Sequence, residues 1–436
     1  MVISTKNKNL SFKIDAPPSK SIYHRELIIR FLCGDFMHLS PKDGDNDDIL
    51  ATKAVLSALY SATHSQDADS PNCNPKYLAD EGTSVLLACN ESGSTLRFMI
   101  PVAAALILGK YSGKKIRDTK VTRLIFETRG RLFDRPLDEL EDALKPHGIN
   151  ISKDSSNRTI IVEGEMTPGE YVIDGSVSSQ YISGLLMACT LFDDKCTIRI
   201  TGSLKSIHYI ELTQDVLEKY GVPASFSDMT YYPTTNGYAN SLLSTEPVPE
   251  ELKNFKVEGD WSNGAFLLCM KRWSSIEVTN LREDSKQGDR AILDYLSLAD
   301  SGNAPSEITW DCSDIPDITP YMAMVAPFEF AKVTFTGISR LRIKESDRVM
   351  ATREQLAAIG VRTEETEDTL TVYEYESPSK EELEEPIRLS SYNDHRMAMC
   401  AILLAVILKK DVEIDSVECL KKSFPEFLGY LGKYFK

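Results

Sequence analysis

Tyr392 to Cys400 places an acid, an imidazole and a guanidinium side by side, as Asp394, His395 and Arg396. An unbroken apolar stretch, Met397 to Leu408, follows directly. A helix that is apolar all round is a buried helix, so its first turn carries three ionisable groups towards the interior. Such groups are costly there unless they are paired or bind something charged. The arrangement recurs along the chain. Pro18, Ser19, Lys20 and Ser21 open a helix containing Arg25, and Ser92, Gly93 and Ser94 open one containing Arg97. Ser178, Ser179 and Gln180 open another, and Lys344, Glu345, Ser346, Asp347 and Arg348 yet another. Helix starts rich in Ser, Gly and flanking cations are ready-made anion sites. Several of them in one chain point to a substrate with several anionic groups.

These helix starts stand out from an acidic background. The chain has 436 residues and a formal net charge of −16, which argues against broad nucleic-acid or anionic-membrane binding. Local cationic clefts in such a protein read as sites for small anions. Its length suits two or three domains. Hydrophobic and charged fractions of 42% and 26% are those of an ordinary globular protein. The nine cysteines are odd in number, include no Cys-x-x-Cys pair and sit mostly in apolar runs; they read as reduced core thiols. The six histidines show no metal-ligand spacing. Met1 to Lys8 lacks the apolar core of a signal peptide, and the longest apolar runs, such as Met99 to Gly109, are too short to span a bilayer. The expectation is a cytoplasmic protein.

A repeated plan must position the helix starts. A small or polar cap leads into an apolar helix and then a short β-rich segment: Ser92 to Leu108; Ser179 to Phe192 before Cys196–Thr201; Ser262 to Met270 before Ser275–Thr279; Asp317 to Phe328 before Lys332–Thr336; Met397 to Leu408 before Asp411–Ile414. A second, amphipathic helix follows and ends in Gly plus a β-branched residue at Gly148-Ile149, Gly221-Val222 and Gly360-Val361, as helix C-caps do. After the first and third of these, a polar turn separates two strands, Ile149–Ser152 from Arg158–Val162 and Val361–Glu364 from Leu370–Tyr373. The glycines are 73 and 139 residues apart, one and two periods of about seventy, with a degenerate copy around Arg290 to Gly302. A period that long means a few α/β subdomains rather than a solenoid. Ser61–Lys76 and Glu374–Pro386 read as loops, and Tyr231–Val257 as a crossover between domains.

The motifs together resemble one family, the 3-phosphoshikimate 1-carboxyvinyltransferases or EPSP synthases. The resemblance rests on Pro18-Ser19-Lys20-Ser21 with Arg25, Ser92-Gly93-Ser94-Thr95 with Arg97, Arg131 to Pro136, Ser178 to Tyr181, Glu258-Gly259-Asp260, Asp314 to Asp317, Arg342 to Arg348, Asn393 to Arg396 and Lys422 to Pro425. It implies an α/β fold of two similar domains, each of three βαβαββ units with helices packed inward, an inside-out α/β barrel. The domains would be 1–18 with 258–436, and 19–257, joined by a hinge of two crossovers with the active site in the cleft between them. The implied reaction joins phosphoenolpyruvate to the 5-hydroxyl of shikimate 3-phosphate and releases phosphate through a tetrahedral intermediate, in the shikimate route to chorismate and the aromatic amino acids. The family is the target of glyphosate. By resemblance Lys20, Gly93, Arg131, Gln180, Arg348, Arg396 and Lys422 hold phosphoenolpyruvate. Lys20, Ser21, Arg25, Ser178, Ser179, Gln180, Ser206, Asp317 and Lys344 hold shikimate 3-phosphate. The catalytic groups would be Asp317, Glu345 and Lys20. The implied partners are these two small molecules alone, with no nucleic acid, membrane, metal or organic cofactor, and the chain acts as a monomer.

The residue types fit those demands. Guanidiniums hold carboxylate and phosphate bidentately, and a glycine lets backbone N–H groups approach an anion closely. The chemistry needs one proton delivered to the methylene carbon and one removed from the 5-hydroxyl. Two carboxylates in different environments can divide that work: Glu345, between Lys344 and Arg348, at the methylene, and Asp317 at the hydroxyl. Arg97 and Arg135 read equally as site residues or as structural partners of acids behind it. Lys344 and Arg348 share a helix face if that segment is helical. His395 is an orienting group, Tyr209 either a contact or a packed ring, and Asp260 a helix cap. Glu91, Ser94 and Phe98 depart from the Asn, Thr and Pro common in the family, and Arg340 stands where a contact residue is usually Asn. The rivals are the sister transferase acting on UDP-N-acetylglucosamine, which usually has a cysteine in the loop that here runs Arg129 to Arg135, and an inactive binding or scaffold protein of the same fold.

Overall fold

The computed structural model describes residues 1–6, 8–64, 75–111, 114–115, 119–235, 256–300, 305–376 and 386–435. Most of the two loops and of the crossover expected from the sequence, at 65–74, 377–385 and 236–255, lies outside the described residues. The chain divides into two compact units. One is discontinuous, Met1–Ser19 with Glu258–Lys436; the other, Lys20–Val257, is inserted into it.

The repeat is visible as strand–helix–strand–helix–strand–strand. In the inserted unit one complete copy runs through Ser84–Asn90, Gly93–Ala103, Arg123–Thr128, Asp138–Leu144, Ile149–Asp154 and Thr159–Gly164. The next uses Glu170–Asp174, Ser179–Cys189, Thr197–Thr201, Ile207–Lys219, Ala224–Ser227 and Thr230–Pro233. In the discontinuous unit Glu307–Asp311, Thr319–Glu329, Lys332–Thr336, Arg348–Ala357, Thr363–Glu365 and Thr369–Tyr373 repeat it. In every copy the first two strands are parallel and the last two form an antiparallel hairpin whose second strand returns to the centre of the sheet. The stretch Arg290 to Gly302, degenerate in sequence, contains the helix Ile292–Asp300.

The helices between parallel strands are interior. Every residue from His395 to Ile407 is buried, as are all of Ser179–Cys189 except Gln180. Such helices need close neighbours, and Gly184 supplies one approach. A Cβ there would stand 2.8 Å from the Arg97 carbonyl oxygen and 3.2 Å from the Phe98 Cα, so this glycine lets Ser179–Cys189 press against Gly93–Ala103. The three glycines read as C-caps adopt left-handed backbone, φ +85° at Gly148, +76° at Gly221 and +82° at Gly360.

One hairpin escapes the sequence pattern. Ala224–Ser227 pairs with Thr230–Pro233, where the reading above begins a crossover at Tyr231. The turn is Asp228-Met229, with φ of 48° and 55°. Two positive-φ positions are the mark of a type I′ turn, normally signalled by Asn-Gly or Asp-Gly. Methionine at the second hides that signal and costs about 1 kcal/mol of strain. Met229→Gly is therefore expected to raise the urea midpoint of the inserted unit slightly, by up to about 0.5 kcal/mol in stability after the glycine's extra chain entropy is counted. A lowered midpoint would show that Met229 contributes packing worth more than its backbone strain.

Within the discontinuous unit, the segments on either side of the insertion are held together. Ser19 N–H donates to Glu258 O (2.7 Å) and Asp260 N–H to Pro17 O (2.8 Å). The Gln287 amide accepts from Ser19 Oγ (2.9 Å) and Trp261 N (3.1 Å), and donates to Glu258 Oε1 (2.7 Å) and Gly259 O (2.9 Å). Asp260 caps the helix Trp261–Lys271 through Asn263 N, 2.7 Å, as expected.

Candidate functional site

In the discontinuous unit two helix starts meet. Asp347 caps Arg348–Ala357 and places Arg348 at its first position. Asp394 caps His395–Leu408 by accepting from Arg396 N at 2.9 Å. Tyr392 and Asn393 both turn through left-handed backbone, φ 52°, to bring it there. Arg348 then joins three acids. Its Nε donates to Asp394 Oδ2 (2.8 Å), Nη2 to Asp394 Oδ1 (3.3 Å) and to Glu345 Oε2 (2.8 Å), and Nη1 to Asp317 Oδ1 (2.9 Å). Four of its five N–H groups are thus committed to carboxylates. Burial opposes the guanidinium charge, but Asp394, Glu345 and Asp317 overcome that and hold its pKa well above the usual value.

Asp317 is the centre of this cluster. Lys344 Nζ lies 3.6 Å and Arg396 Nη2 3.9 Å from its oxygens, besides Arg348. Burial pushes the carboxyl up, yet Lys344, Arg396 and Arg348 outweigh it and hold Asp317 well below the usual carboxylate range. Lys344 is pushed down, chiefly by burial, with Asp317 opposing. Lys344 to Asp347 precede the helix, so Lys344 and Arg348 do not share a helix face as expected; they converge because both reach Asp317. Arg396 donates to Tyr321 Oη at 3.1 Å, and its buried Nε has no hydrogen-bond partner among the described residues. Lys422 Nζ donates to Asn393 O at 2.8 Å, one residue before the Asp394 cap. Behind the cluster, burial and then Asp317 push the Asp289 carboxyl up to about 7, while the Ser262 hydroxyl donates to it. Arg340 donates to the Ser313 carbonyl.

The inserted unit carries the other predicted residues. Lys20 opens the helix Lys20–Leu32 and its Nζ pairs with Asp48 at 2.8 Å. Ser92 caps Gly93–Ala103 through Thr95 N. A Cβ on Gly93 would stand 2.5 Å from Arg135 Nη1 and 3.7 Å from Arg97 Nη1, so two guanidiniums cover this helix start. Arg97 Nη1 also donates to Gln180 Oε1 (3.0 Å), and Gln180 Nε2 to Ser94 Oγ (2.8 Å), which ties the Gly93 and Ser179 helix starts together. Ser178 caps the second of these, Ser179 is buried beside it, and Ser206, also buried, turns through φ 53° into Ile207–Lys219. Arg131 is exposed in the turn Gly130–Asp134, which Arg158 holds through Gly130 O at 2.6 Å. Glu91 packs against that turn, since a Cβ on Gly130 would meet its carboxylate carbon at 2.8 Å.

Arg25 is more enclosed than its motif suggests. It donates to Thr213 Oγ1 (2.6 Å), Ser183 Oγ (3.2 Å), Tyr209 O (2.7 Å) and Ser21 O (2.5 Å), and lies 4.8 Å over the Phe98 ring. Burial among these neutral acceptors pushes its pKa down to about 9. Arg25 binds the helix Lys20–Leu32 to Ser179–Cys189 and Ile207–Lys219, and Tyr209 serves it through its carbonyl. The sequence reading missed Asp48, Tyr321, Asp289 and Ser262. Asp48 had a signal, because Asn46-Asp47-Asp48 is an acidic, capped helix start. Tyr321 and Asp289 had none, since they matter only through residues distant in sequence.

Comparison with known proteins identifies the family. The family model for EPSP synthase (3-phosphoshikimate 1-carboxyvinyltransferase) matches residues 4–431. The chain is 32% identical over 440 residues to the 3-phosphoshikimate 1-carboxyvinyltransferase of Clostridium perfringens (strain 13 / Type A), covering 98% of this chain and 96% of that one. It is 30% identical over 446 residues to that of Clostridioides difficile (strain 630), covering 96% and 94%. Among solved structures, EPSP synthase from Acinetobacter baumannii shares the fold with a TM-score of 0.64 at 17% identity, over 100% of this chain and 98% of that one. The enolpyruvyl transferase NikO from Streptomyces tendae does so with 0.61 at 15%, over 99% and 96%. With the family model matched over residues 4–431 and a relative 32% identical across 96% of its own length, the chain belongs to the EPSP synthase family.

Proposed function

We propose that this chain transfers the enolpyruvyl group of phosphoenolpyruvate to the 5-hydroxyl of shikimate 3-phosphate and releases phosphate, as a cytoplasmic enzyme needing no metal or organic cofactor. The observation that carries the reading is one guanidinium, Arg348, joined to two carboxylates in different settings. Asp317 is held ionised by three cations, whereas Glu345 pairs with Arg348 three residues further along its own segment. Residues of both units contribute to holding the same two substrates.

In this mechanism Lys20, Gly93, Arg131, Gln180, Arg396 and Lys422 hold phosphoenolpyruvate, and Arg348 contributes while fixing the acids. Lys344, Ser21, Ser178, Ser179 and Ser206 hold shikimate 3-phosphate, with Arg25 supporting them from within. Asp317 takes the proton of the 5-hydroxyl as that oxygen bonds to the central carbon of phosphoenolpyruvate. Protonated Glu345 gives its proton to the methylene carbon, which becomes a methyl group. In the tetrahedral intermediate the Glu345 carboxylate takes a methyl proton back, the carbon–oxygen bond to phosphate breaks, and phosphate leaves with the proton from Asp317, its charge met by Lys20. A carboxylate held low is a weak base, but an anionic substrate on Lys344 and Arg396 screens the cations that lower Asp317 and so raises its basicity.

Phosphate release from phosphoenolpyruvate is expected with shikimate 3-phosphate and absent with UDP-N-acetylglucosamine. Release with the sugar nucleotide alone would make the chain the sister transferase. Release with neither would make it a binding protein of the same fold.

A further inference from the structure

The Gly93 helix start and the Lys20 helix are tied by a buried hydroxyl network. Thr95 Oγ1 lies 2.7 Å from Thr52 Oγ1, 2.7 Å from Ser92 Oγ and 3.4 Å from Asp48 O. Thr52 Oγ1 is 2.6 Å from His24 Nδ1. Thr95, Thr52 and His24 are wholly buried and Ser92 is nearly so. Donor counting orders the network. His24 Nε2 has no partner among the described residues, and an unpaired acceptor costs less than an unpaired buried N–H, so Nδ1–H donates to Thr52. Thr52 then donates to Thr95, Ser92 donates to Thr95, and Thr95 donates to the Asp48 carbonyl. One donor and two acceptor sites of the Thr95 hydroxyl are all used. Burial, with Lys20 and Arg25 nearby, holds the imidazole neutral, as this order requires.

The consequence is geometric. Ser92 caps the helix at the residue before Gly93. Asp48, whose backbone Thr95 holds, pairs through its carboxylate with Lys20. His24 lies one helical turn beyond Lys20. We propose that Thr95 is a positioning residue, fixing the Gly93 backbone N–H groups and the Lys20 ammonium relative to each other so that both meet one anionic ligand; this rests on the reading above that phosphoenolpyruvate is that ligand. The residue touches no substrate and acts through Ser92 and Asp48.

Thr95→Val keeps the shape and removes the hydroxyl, whereas Thr95→Ser keeps it. In Thr95→Val the KM for phosphoenolpyruvate rises about tenfold, with kcat and the KM for shikimate 3-phosphate within threefold of wild type, and Thr95→Ser restores the KM. Amide hydrogen exchange at residues 93–97 of the ligand-free protein is faster in the valine variant and near wild type in the serine variant. If Thr95→Val does not fold, Thr52→Ala against Thr52→Ser reads the same network from its His24 side, with the same split expected. Unchanged KM in the alanine or valine variant, equal loss for both substrates, or no rescue by serine overturns the proposal. Wild-type protein that releases no phosphate overturns the functional reading instead. Exchange at 93–97 together with titration of phosphoenolpyruvate then decides the network: weaker binding in Thr95→Val with rescue by serine supports it, and unchanged binding overturns it.

Discussion

Glu345→Gln lowers turnover by roughly 10²–10⁴, the range for removing a positioned general acid–base, while both substrates still bind. The amide oxygen can still accept from Arg348 Nη2, which in the native protein donates to Glu345 Oε2 at 2.8 Å. The cluster therefore keeps its geometry and loses only the ability to exchange a proton. The loss should appear in kcat, with KM values for phosphoenolpyruvate and shikimate 3-phosphate within a few-fold of wild type, since binding falls to cations elsewhere in the cluster. Steady-state phosphate release measures both. A variant turning over within threefold of wild type removes Glu345 from the proton path, leaving Asp317 and Lys20 to carry both transfers.

Arg348→Met is expected to strike stability as well as activity. The side chain is buried and joins three acids, and Asp394 is wholly buried. Removing one partner of a buried ion pair leaves uncompensated charge, at about 3–5 kcal/mol. The effect has a sign in pH. In the native protein burial raises the Asp394 carboxyl, but Arg348 more than reverses this, and its pKa is lowered. That group contributes stability above its unfolded pKa of about 3.9 and loses it as pH falls through the lower folded value. Without Arg348 burial dominates and the folded pKa rises above the unfolded one. Ionisation then opposes folding, so the deficit of the variant grows as pH rises and is smaller at pH 5 than at pH 8. The chain's three tryptophans, Trp261, Trp273 and Trp310, all lie in the discontinuous unit. Urea unfolding followed by their fluorescence thus reports the unit that carries Arg348. A deficit that shrinks with rising pH would mean that Arg348 does not hold Asp394 ionised.

Local punctuation was readable in the sequence and long-range pairing was not. Gly148, Gly221 and Gly360 announced helix ends because only left-handed backbone fits there. Ser92, Ser178, Asp347 and Asp394 announced helix starts because a side-chain oxygen must meet the first N–H groups. The family resemblance named most groups that the structure gathers around Asp317, including Lys344, Glu345, Arg348 and Arg396. What those groups do to one another was hidden. Nothing near Arg348 says that Asp394, 46 residues away, fills its guanidinium, nor does anything near Arg25 say that Thr213, 188 residues away, encloses it. The Asp228-Met229 turn was missed for the opposite reason, a local geometry occupied by a residue that does not advertise it.

The clamp at Ser19 and Glu258 has a consequence for how the chain is made. It places both ends of Lys20–Val257 side by side, so that unit can be completed on the ribosome while its host is only nineteen residues long. The host cannot begin. Lys13–Asp15 waits for its parallel neighbour Glu277–Thr279, and Val2–Ile3 waits for Val412–Ile414, almost at the far end of the chain. At about 5–20 residues per second these strands remain unpaired for roughly 10–80 seconds of synthesis. During that time their edges are open to other chains. Their shortness, two and three residues, gives a neighbouring nascent chain little to pair with, so the segment that waits longest for its partner is also the one least able to take a wrong one.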